Sequence, residues 1–196
     1  QAISGYSVSP AHMNRGDGRG ERDVVYIGRY HCGGNSCKSV TGEIPNDHAG
    51  RSEAREHIHR LGANIWQTDF AMRFTLWLLY LVEFSDWNSQ EKIGYGCGDN
   101  KGKGRMGYTD SMPYHTGTTQ SSRTTYGLGT QYRNIEGLWD NLYDWCDGCY
   151  CDSKGLNIIL NPNKFSDNAN GVSIGAPVSG SAFSVKTEGG VPLFVP

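Results

Sequence analysis

A helical spacing of apolar positions predicts a first helix in the first third of the chain. Ala54, Ile58 and Leu61 recur at i, i+4 and i+7, which places one apolar stripe along a helix. Ser52 is the expected N-cap, because its hydroxyl can accept from an unpaired backbone N–H, and Gly62 stands where a helix C-terminus is expected.

A second helix is predicted to begin near Asp69 and to be apolar almost all round. Arg73 and Glu83 mark its thin polar edge, so the pattern indicates a helix buried on most sides. The longest apolar run, Leu76–Val82, is far shorter than the roughly 18 residues that a membrane span needs. We therefore expect no membrane insertion.

Strands are predicted where β-branched and aromatic residues cluster between turn residues. Asp23–Tyr30 and Leu156–Leu160 fit that description, and Tyr132–Trp145 fits a short helical turn that leads into a strand. Residues 94–131 are rich in Gly, Tyr, Thr and Ser and predict a long decorated loop. Together these elements predict an α+β fold with two helices, a small antiparallel sheet and long irregular loops.

Composition indicates a loop-rich recognition surface. The chain has 27 glycines in 196 residues, about twice the usual share, and its aromatic and small polar residues suit adaptable contacts. Only 19% of residues are charged and the net charge is −2, so we expect no nucleic-acid partner. The chain starts with Gln and shows no signal peptide, which predicts a fragment or a processed product of a longer chain.

The six cysteines leave three alternatives open. Cys146 and Cys149 form a Cys-x-x-Cys pair with Cys151 close by, which could hold zinc together with His31 and Cys32. No second Cys-x-x-Cys follows, so disulfides or buried thiols remain as the other two readings.

A resemblance to a known family rests on the segment 132–148. Its sequence, YRNIEGLWDNLYDWCDG, resembles the YRGIENLWGNVWEWVDG element of C-type-lectin-fold proteins at phage tail tips, and the shorter GNVWEW element also occurs in formylglycine-generating-enzyme-like domains. Further similarity lies in the segments 5–11, 27–32, 52–55, 87–90, 93–96 and 173–177. The chain departs from the element at Asp140, where the family has Gly, and it stops at Pro196, where relatives continue.

The resemblance implies a single C-type-lectin-like domain over residues 1–196 that belongs to a phage tail tip, on the virion, or to the extracellular surface of a related assembly. It implies a receptor-binding or adhesion domain that recognises a bacterial or host cell-surface receptor, protein or glycan, without catalysis and without a cofactor. Within the motif, we expect Trp139 and Trp145 to be buried with carbonyl or carboxylate partners, and Gly137 and Gly148 to allow tight reversals. A variable binding segment beyond Pro196 would lie outside this sequence.

Ligand-binding residues are expected in the loops that such a scaffold presents. Aromatic rings stack on sugars or peptides while their polar neighbours hydrogen bond, and no metal site is included. The central loops contribute one candidate set, namely Tyr108, Asp110, Tyr114, His115, Arg123 and Tyr126. A second set follows the motif, namely Tyr150, Asp152, Asn161, Asn163 and Asn168.

Two alternative functions also fit the sequence. The main alternative is a structural tail component that uses the fold for contacts with other tail subunits or in a homo-oligomer. A weaker one is a formylglycine-generating-type oxidase, which would need paired reactive thiols. Calcium is disfavoured because residues 161–170 offer only one carboxylate, Asp167. The tripeptide Arg15-Gly16-Asp17 matches an integrin motif, but a Gly-rich turn explains it better.

Overall fold

The chain has a mixed α+β architecture in which short strands and long loops surround two substantial helices. A computed structural model describes residues 7–34, 36–47, 50–96, 104–119, 129–139, 141–142, 144–174, 184–188 and 191–195. The helices are α1 (Arg51–His59), α2 (Phe70–Phe84) and the single turn α3 (Ser89–Lys92). The strands are β1 (Cys32–Gly33), β2 (Lys38–Ser39), β3 (Gly117–Thr118), β4 (Thr130–Tyr132), β5 (Ile135–Glu136), β6 (Cys149–Asp152), β7 (Gly155–Ile158), β8 (Val172–Ser173), β9 (Ser184–Glu188) and β10 (Val191–Val195).

Every strand pairing in the described residues is antiparallel. The sheets are β1–β2, β3–β4–β5, β6–β7–β8 and β9–β10, so no sheet exceeds three strands. The prediction of an α+β fold with two substantial helices and long loops is confirmed, although the strands form several small sheets instead of one.

The contacts between Cα atoms divide the chain into two compact units. Unit 1 comprises Gln1–Val24, Gln67–Thr75 and Cys146–Pro196, and unit 2 comprises Val25–Trp66 and Leu76–Trp145. The expectation of one domain over residues 1–196 stays a prediction.

Helix α1 forms where the apolar spacing predicts it, but its ends differ from the prediction. Gly50 is the N-cap and no side chain caps the helix there, so Ser52 lies inside the first turn. The C-cap is Arg60, and Gly62 follows it with its N–H donated to the carbonyl of His59. Backbone hydrogen bonds alone therefore end this helix.

Helix α2 begins at the predicted residue. The carboxylate of Asp69 accepts from the N–H of Met72 at 2.9 Å, which satisfies one donor of the first turn. Most of the helix is buried or half-buried, but the exposed edge is more apolar than predicted. Val82 is 84% exposed beside Glu83, whereas Arg73 is half-buried.

Two predicted elements are wrong. Asp23–Tyr30 contains no strand. The carbonyl of Arg29 accepts from the backbone N–H of Glu136, and the N–H of Tyr30 donates to the Ser39 hydroxyl, so these backbone groups form isolated hydrogen bonds and not a strand pairing. The described part of 132–145 contains no helical turn. Tyr132 ends β4 and a reversal leads directly into β5, since Asn134 adopts a left-handed φ of 65°.

Leu156–Leu160 was predicted as a strand, and it forms β7 with its bounds at Gly155 and Ile158. The described part of 94–131 is irregular apart from β3 and the first residues of β4, as expected. Strand β6 and the turn α3 were not predicted.

The core of unit 2 packs α2 against strand β4. Tyr80 and Tyr132 are buried and their rings meet edge to face, 6.0 Å between centroids. Trp139 packs against this cluster and donates its indole N–H to the carbonyl of Gly94 at 2.9 Å. The expected partner for Trp139 is therefore confirmed. Trp145 was predicted to be buried, and this is wrong: its side chain is 57% exposed.

The core of unit 1 contains a buried ion pair. The Arg15 guanidinium donates to the Asp69 carboxylate at 2.6 Å and to the carbonyl of Leu160 at 2.7 Å. Both charged side chains are almost fully buried, so Arg15 of the Arg-Gly-Asp tripeptide is part of the core in this unit, whereas Gly16 is exposed. Gly16 turns the chain there with a left-handed φ of 74°, which confirms turn chemistry as the reason for the motif.

Candidate ligand-binding surface

Strands β4 and β5 support an exposed group of polar and aromatic side chains in unit 2. The support begins at Glu136, whose carboxylate is buried and faces the loop that carries Thr109 and Asp110. It accepts from the N–H of Gly107 at 2.7 Å, from the N–H of Thr109 at 2.9 Å and from the Thr109 hydroxyl at 2.6 Å. Three donors on one buried carboxylate hold this loop on the strand.

Gly107 is required where this loop crosses residue Thr41. Its φ is 100°, and a Cβ on it would lie 2.0 Å from the Thr41 hydroxyl and 2.9 Å from the Asp110 carboxylate. Any larger residue would combine left-handed backbone strain with a direct clash. The close approach brings Thr41 within hydrogen-bonding distance of Asp110.

Asp110 is the centre of the exposed group. Its carboxylate accepts from the Tyr30 phenol and from the Thr41 hydroxyl at 2.7 Å, and it lies 3.1 Å from the Arg29 guanidinium. The hydrogen bond from Tyr30, followed by those from Thr41 and the charge of Arg29, lowers the pKa of Asp110 against a smaller opposing effect of burial. Burial and the bond to Asp110 raise the pKa of Tyr30. At neutral pH the group is thus a carboxylate, a phenol and a guanidinium.

Gln131 connects this group to the segment of Tyr114 and His115. Its side-chain oxygen accepts from Arg29 at 3.4 Å, and its amide nitrogen donates to the carbonyl of Tyr114 at 2.6 Å. The N–H of Asn134 donates to the carbonyl of His115 at 2.7 Å. The backbone of 114–115 is therefore held by β4 and the turn after it.

The side chains on this held backbone are exposed. Tyr114 is 73% exposed and His115 is exposed as well. We call the side chains of Arg29, Tyr30, Asp110, Tyr114 and His115 the Asp110 surface. It combines an aromatic face, an anionic acceptor and several N–H and O–H donors on a fixed frame.

The remaining predicted residues of the first set fall elsewhere. Tyr108 is half-buried, while Arg123 and Tyr126 lie outside the described residues. Three members of the Asp110 surface were predicted. Arg29 and Tyr30 were missed because they come from the segment interpreted as a strand, 80 residues before Asp110 in the case of Tyr30.

The second predicted set lies in unit 1, where several members stabilise turns. Asp152 accepts from the N–H of Lys154 at 2.7 Å, which closes the turn between β6 and β7. Asn161 caps the 3-10 helix Pro162–Lys164 by accepting from the N–H of Asn163, and its amide donates to the carbonyl of Gly16.

Two further members of this set pack or bond locally. Asn168 exchanges hydrogen bonds with Ser166. The Tyr150 ring lies against Gly171, where an added Cβ would be 2.8 Å from its edge. A ligand-binding role for the second set stays a prediction.

Among the described residues, no three His, Cys, Asp or Glu side chains converge as metal ligands. The described cysteines Cys32, Cys37, Cys146, Cys149 and Cys151 form no disulfide with one another. None of the described helices has the length and apolarity of a membrane span.

Comparisons of the chain with protein families, with curated proteins and with solved structures found no match. Function must therefore be argued from the residues and their geometry.

Proposed function

We propose that this chain is a non-catalytic recognition domain of the C-type-lectin type, carried at a phage tail tip, that binds a cell-surface receptor through the Asp110 surface. One observation carries this proposal: the backbone of Tyr114 and His115 is fixed by hydrogen bonds from β4 and its turn, while both side chains remain exposed. A binding surface gains affinity when its anchors are ordered before the ligand arrives, because less conformational entropy is lost on binding.

The composition of the surface supports a ligand with hydroxyl or amide groups beside a flat apolar face. Asp110 offers an ionised acceptor, Arg29 and Tyr30 offer donors, and the Tyr114 ring offers a stacking face. Glycans and extended peptides both present this combination. The receptor is accordingly a protein or a glycan on the cell surface.

The first experiment is binding of the purified, fluorescently labelled chain to a panel of bacterial strains that differ in surface polysaccharide. The test variant is Tyr114→Ala with His115→Ala, since both carbonyls keep their hydrogen bonds and only exposed side chains are removed. The matched control is Ile65→Ser, which also truncates an exposed side chain of unit 2.

Strain-selective binding that is lost in the double variant and retained in Ile65→Ser is the expected result. Binding that survives the double variant would remove the Asp110 surface as the contact site. Absence of binding to any strain, with the chain folded by circular dichroism, would contradict receptor recognition.

A second candidate function is a structural tail component. The observation that favours it is the exposed apolar edge of α2, where Leu79 and Val82 lie one turn apart. Assembly contacts would cover this edge. Light scattering of the wild type and of Leu79→Gln with Val82→Ser tests it, because an oligomer that dissociates in the variant supports assembly and a monomeric wild type opposes it.

A further inference from the structure

The turn between Cys146 and Cys149 is held from both sides in unit 1. The N–H of Asp147 donates to the carbonyl of Thr68 at 3.0 Å, and its carbonyl accepts from Phe70 at 2.8 Å. Gly148 adopts a left-handed φ of 72°, where a Cβ would lie 3.1 Å from the carbonyl of Ile159. The backbone between the two cysteines is therefore fixed by pairing and by close packing.

Within this turn the two thiols meet. The thiols of Cys146 and Cys149 are in hydrogen-bonding contact, and the Cys146 thiol donates to the carbonyl of Asp147 at 3.6 Å. The bond to Cys149, followed by burial, raises the pKa of Cys146, and the nearby positive charge of Arg73 opposes that rise.

The cysteines of unit 2 provide a contrast. The Cys32 thiol donates to the backbone carbonyl of Cys37 at 2.9 Å, and the Cys37 side chain is buried. Burial raises the pKa of Cys32 to about 11. Cys32 therefore donates to the backbone and stays a thiol at neutral pH, as expected of an inert structural cysteine.

We propose that Cys146 and Cys149 form a redox site that closes reversibly into an intramolecular disulfide by exchange with a low-molecular-weight disulfide. The Cys149 thiolate attacks the external disulfide, a mixed disulfide forms, and one external thiolate leaves. Cys146 then loses its proton to solvent, and its sulfur displaces the second external thiolate from Cys149. Two protein thiols are oxidised to one disulfide, and one external disulfide is reduced to two thiols.

The order of the two steps follows from the contact between the sulfurs. The contact with Cys149 and burial raise the pKa of Cys146, so Cys149 is the better first nucleophile. Cys146 is already within reach when the mixed disulfide forms, which favours ring closure over a second encounter with the external disulfide.

The test uses the full chain, reduced and then incubated with oxidised glutathione. Remaining thiols are blocked with N-ethylmaleimide, and the denatured chain is cleaved before aspartate residues. Cleavage at Asp144, Asp147 and Asp152 places Cys146 on the peptide 144–146 and Cys149 on the peptide 147–151. The expected result is these two peptides joined, lighter than their sum by two hydrogen atoms, with loss of two blockable thiols.

Three variants identify the bond. Cys151→Ser is expected to give the same joined peptides, because Cys151 is exposed on β6 and takes no part. Cys149→Ser is expected to abolish them, and Cys146→Ser is expected to abolish them and to leave a glutathione adduct on Cys149. A bond between Cys149 and Cys151, or joined peptides that persist in Cys149→Ser, would overturn the proposal.

A time course in denaturant tests whether the fold matters. We expect ring closure to be faster in the folded chain than in urea at equal pH, since the turn holds the sulfurs together. Equal rates would show that spacing alone, and not this turn, brings the thiols into contact, and would overturn the structural assignment.

Discussion

Glu136 holds Thr109 by two hydrogen bonds, one from the backbone N–H at 2.9 Å and one from the hydroxyl at 2.6 Å, and both residues are buried. Residues 27 positions apart in the chain are thereby joined directly beneath Asp110. The buried carboxylate of Glu136 therefore fixes the position of the exposed Asp110 carboxylate.

Replacement of Glu136 by Gln is expected to destabilise the chain by about 2–3 kcal/mol, the cost of losing hydrogen bonds to a charged group and leaving buried donors poorly paired. Urea unfolding followed by circular dichroism measures the change. Glu53→Gln, at an exposed position of α1, is the control and should change the free energy of unfolding little. Equal effects of the two variants would argue against the role of Glu136.

The buried ion pair of unit 1 gives a second prediction. Arg15→Met is expected to destabilise the chain by about 3–5 kcal/mol, because it leaves the Asp69 carboxylate buried without its partner. Arg19→Met is the matched control, since the Arg19 side chain is 40% exposed and lies 4.0 Å from its acid. Urea unfolding measures both. A similar loss in both variants would show that burial of Arg15 is not the cause.

Alanine substitutions at Gly107 and Gly42 distinguish the cost of backbone strain from the cost of a steric clash. Both have left-handed φ angles, but a Cβ on Gly42 meets nothing within 4 Å, whereas one on Gly107 meets Thr41 at 2.0 Å. Gly42→Ala is expected to cost about 1–2 kcal/mol from strain alone, and Gly107→Ala is expected to cost more. Thermal unfolding measures the difference. If Gly107→Ala is no worse than Gly42→Ala, the close approach to Thr41 does not constrain the loop.

The pKa of Asp110 should depend on Tyr30. Loss of the phenol in Tyr30→Phe removes the largest cause of the lowered value, so the pKa of Asp110 is expected to rise towards the ordinary value of about 3.9. NMR titration of the Asp110 carboxyl carbon measures it. Thr41→Ala, which removes a smaller cause, should give a smaller rise.

The sign of the related pH dependence follows from the lowered pKa. The stabilisation from ionised Asp110 is present above the unfolded pKa, about 3.9, and is lost as pH falls through the lower folded value. The stability difference between wild type and Asp110→Asn should therefore shrink as the solution is acidified below that point. A difference that grows on acidification would contradict the assignment.

The spacing of apolar residues was enough to predict the two long helices and one strand. Helix α1 follows from Ala54 and Ile58, and α2 begins where Asp69 precedes a long apolar run, because helical contacts join residues only three or four positions apart. The same reasoning failed for Asp23–Tyr30, since a strand needs a partner that the segment itself cannot reveal.

The candidate surface was predicted in part. Asp110, Tyr114 and His115 were expected from residue type in a loop, which is the information that sequence carries about exposed contact residues. Arg29, Tyr30 and the buried Glu136 were not, because their roles depend on hydrogen bonds that span 27 to 80 positions. For Cys146 and Cys149 the sequence left zinc, a disulfide and buried thiols open, because residue spacing does not show which side chains meet.

The amino-acid sequence alone thus determined the elements that are stabilised by near neighbours in the chain. These are the two long helices, the glycines with left-handed φ angles and the turn at Arg15-Gly16-Asp17. Tertiary structure decided which polar groups were buried as partners and which stayed exposed for binding. The physical reason is that a buried polar group requires a partner, and that partner comes from whichever distant segment the fold brings beside it.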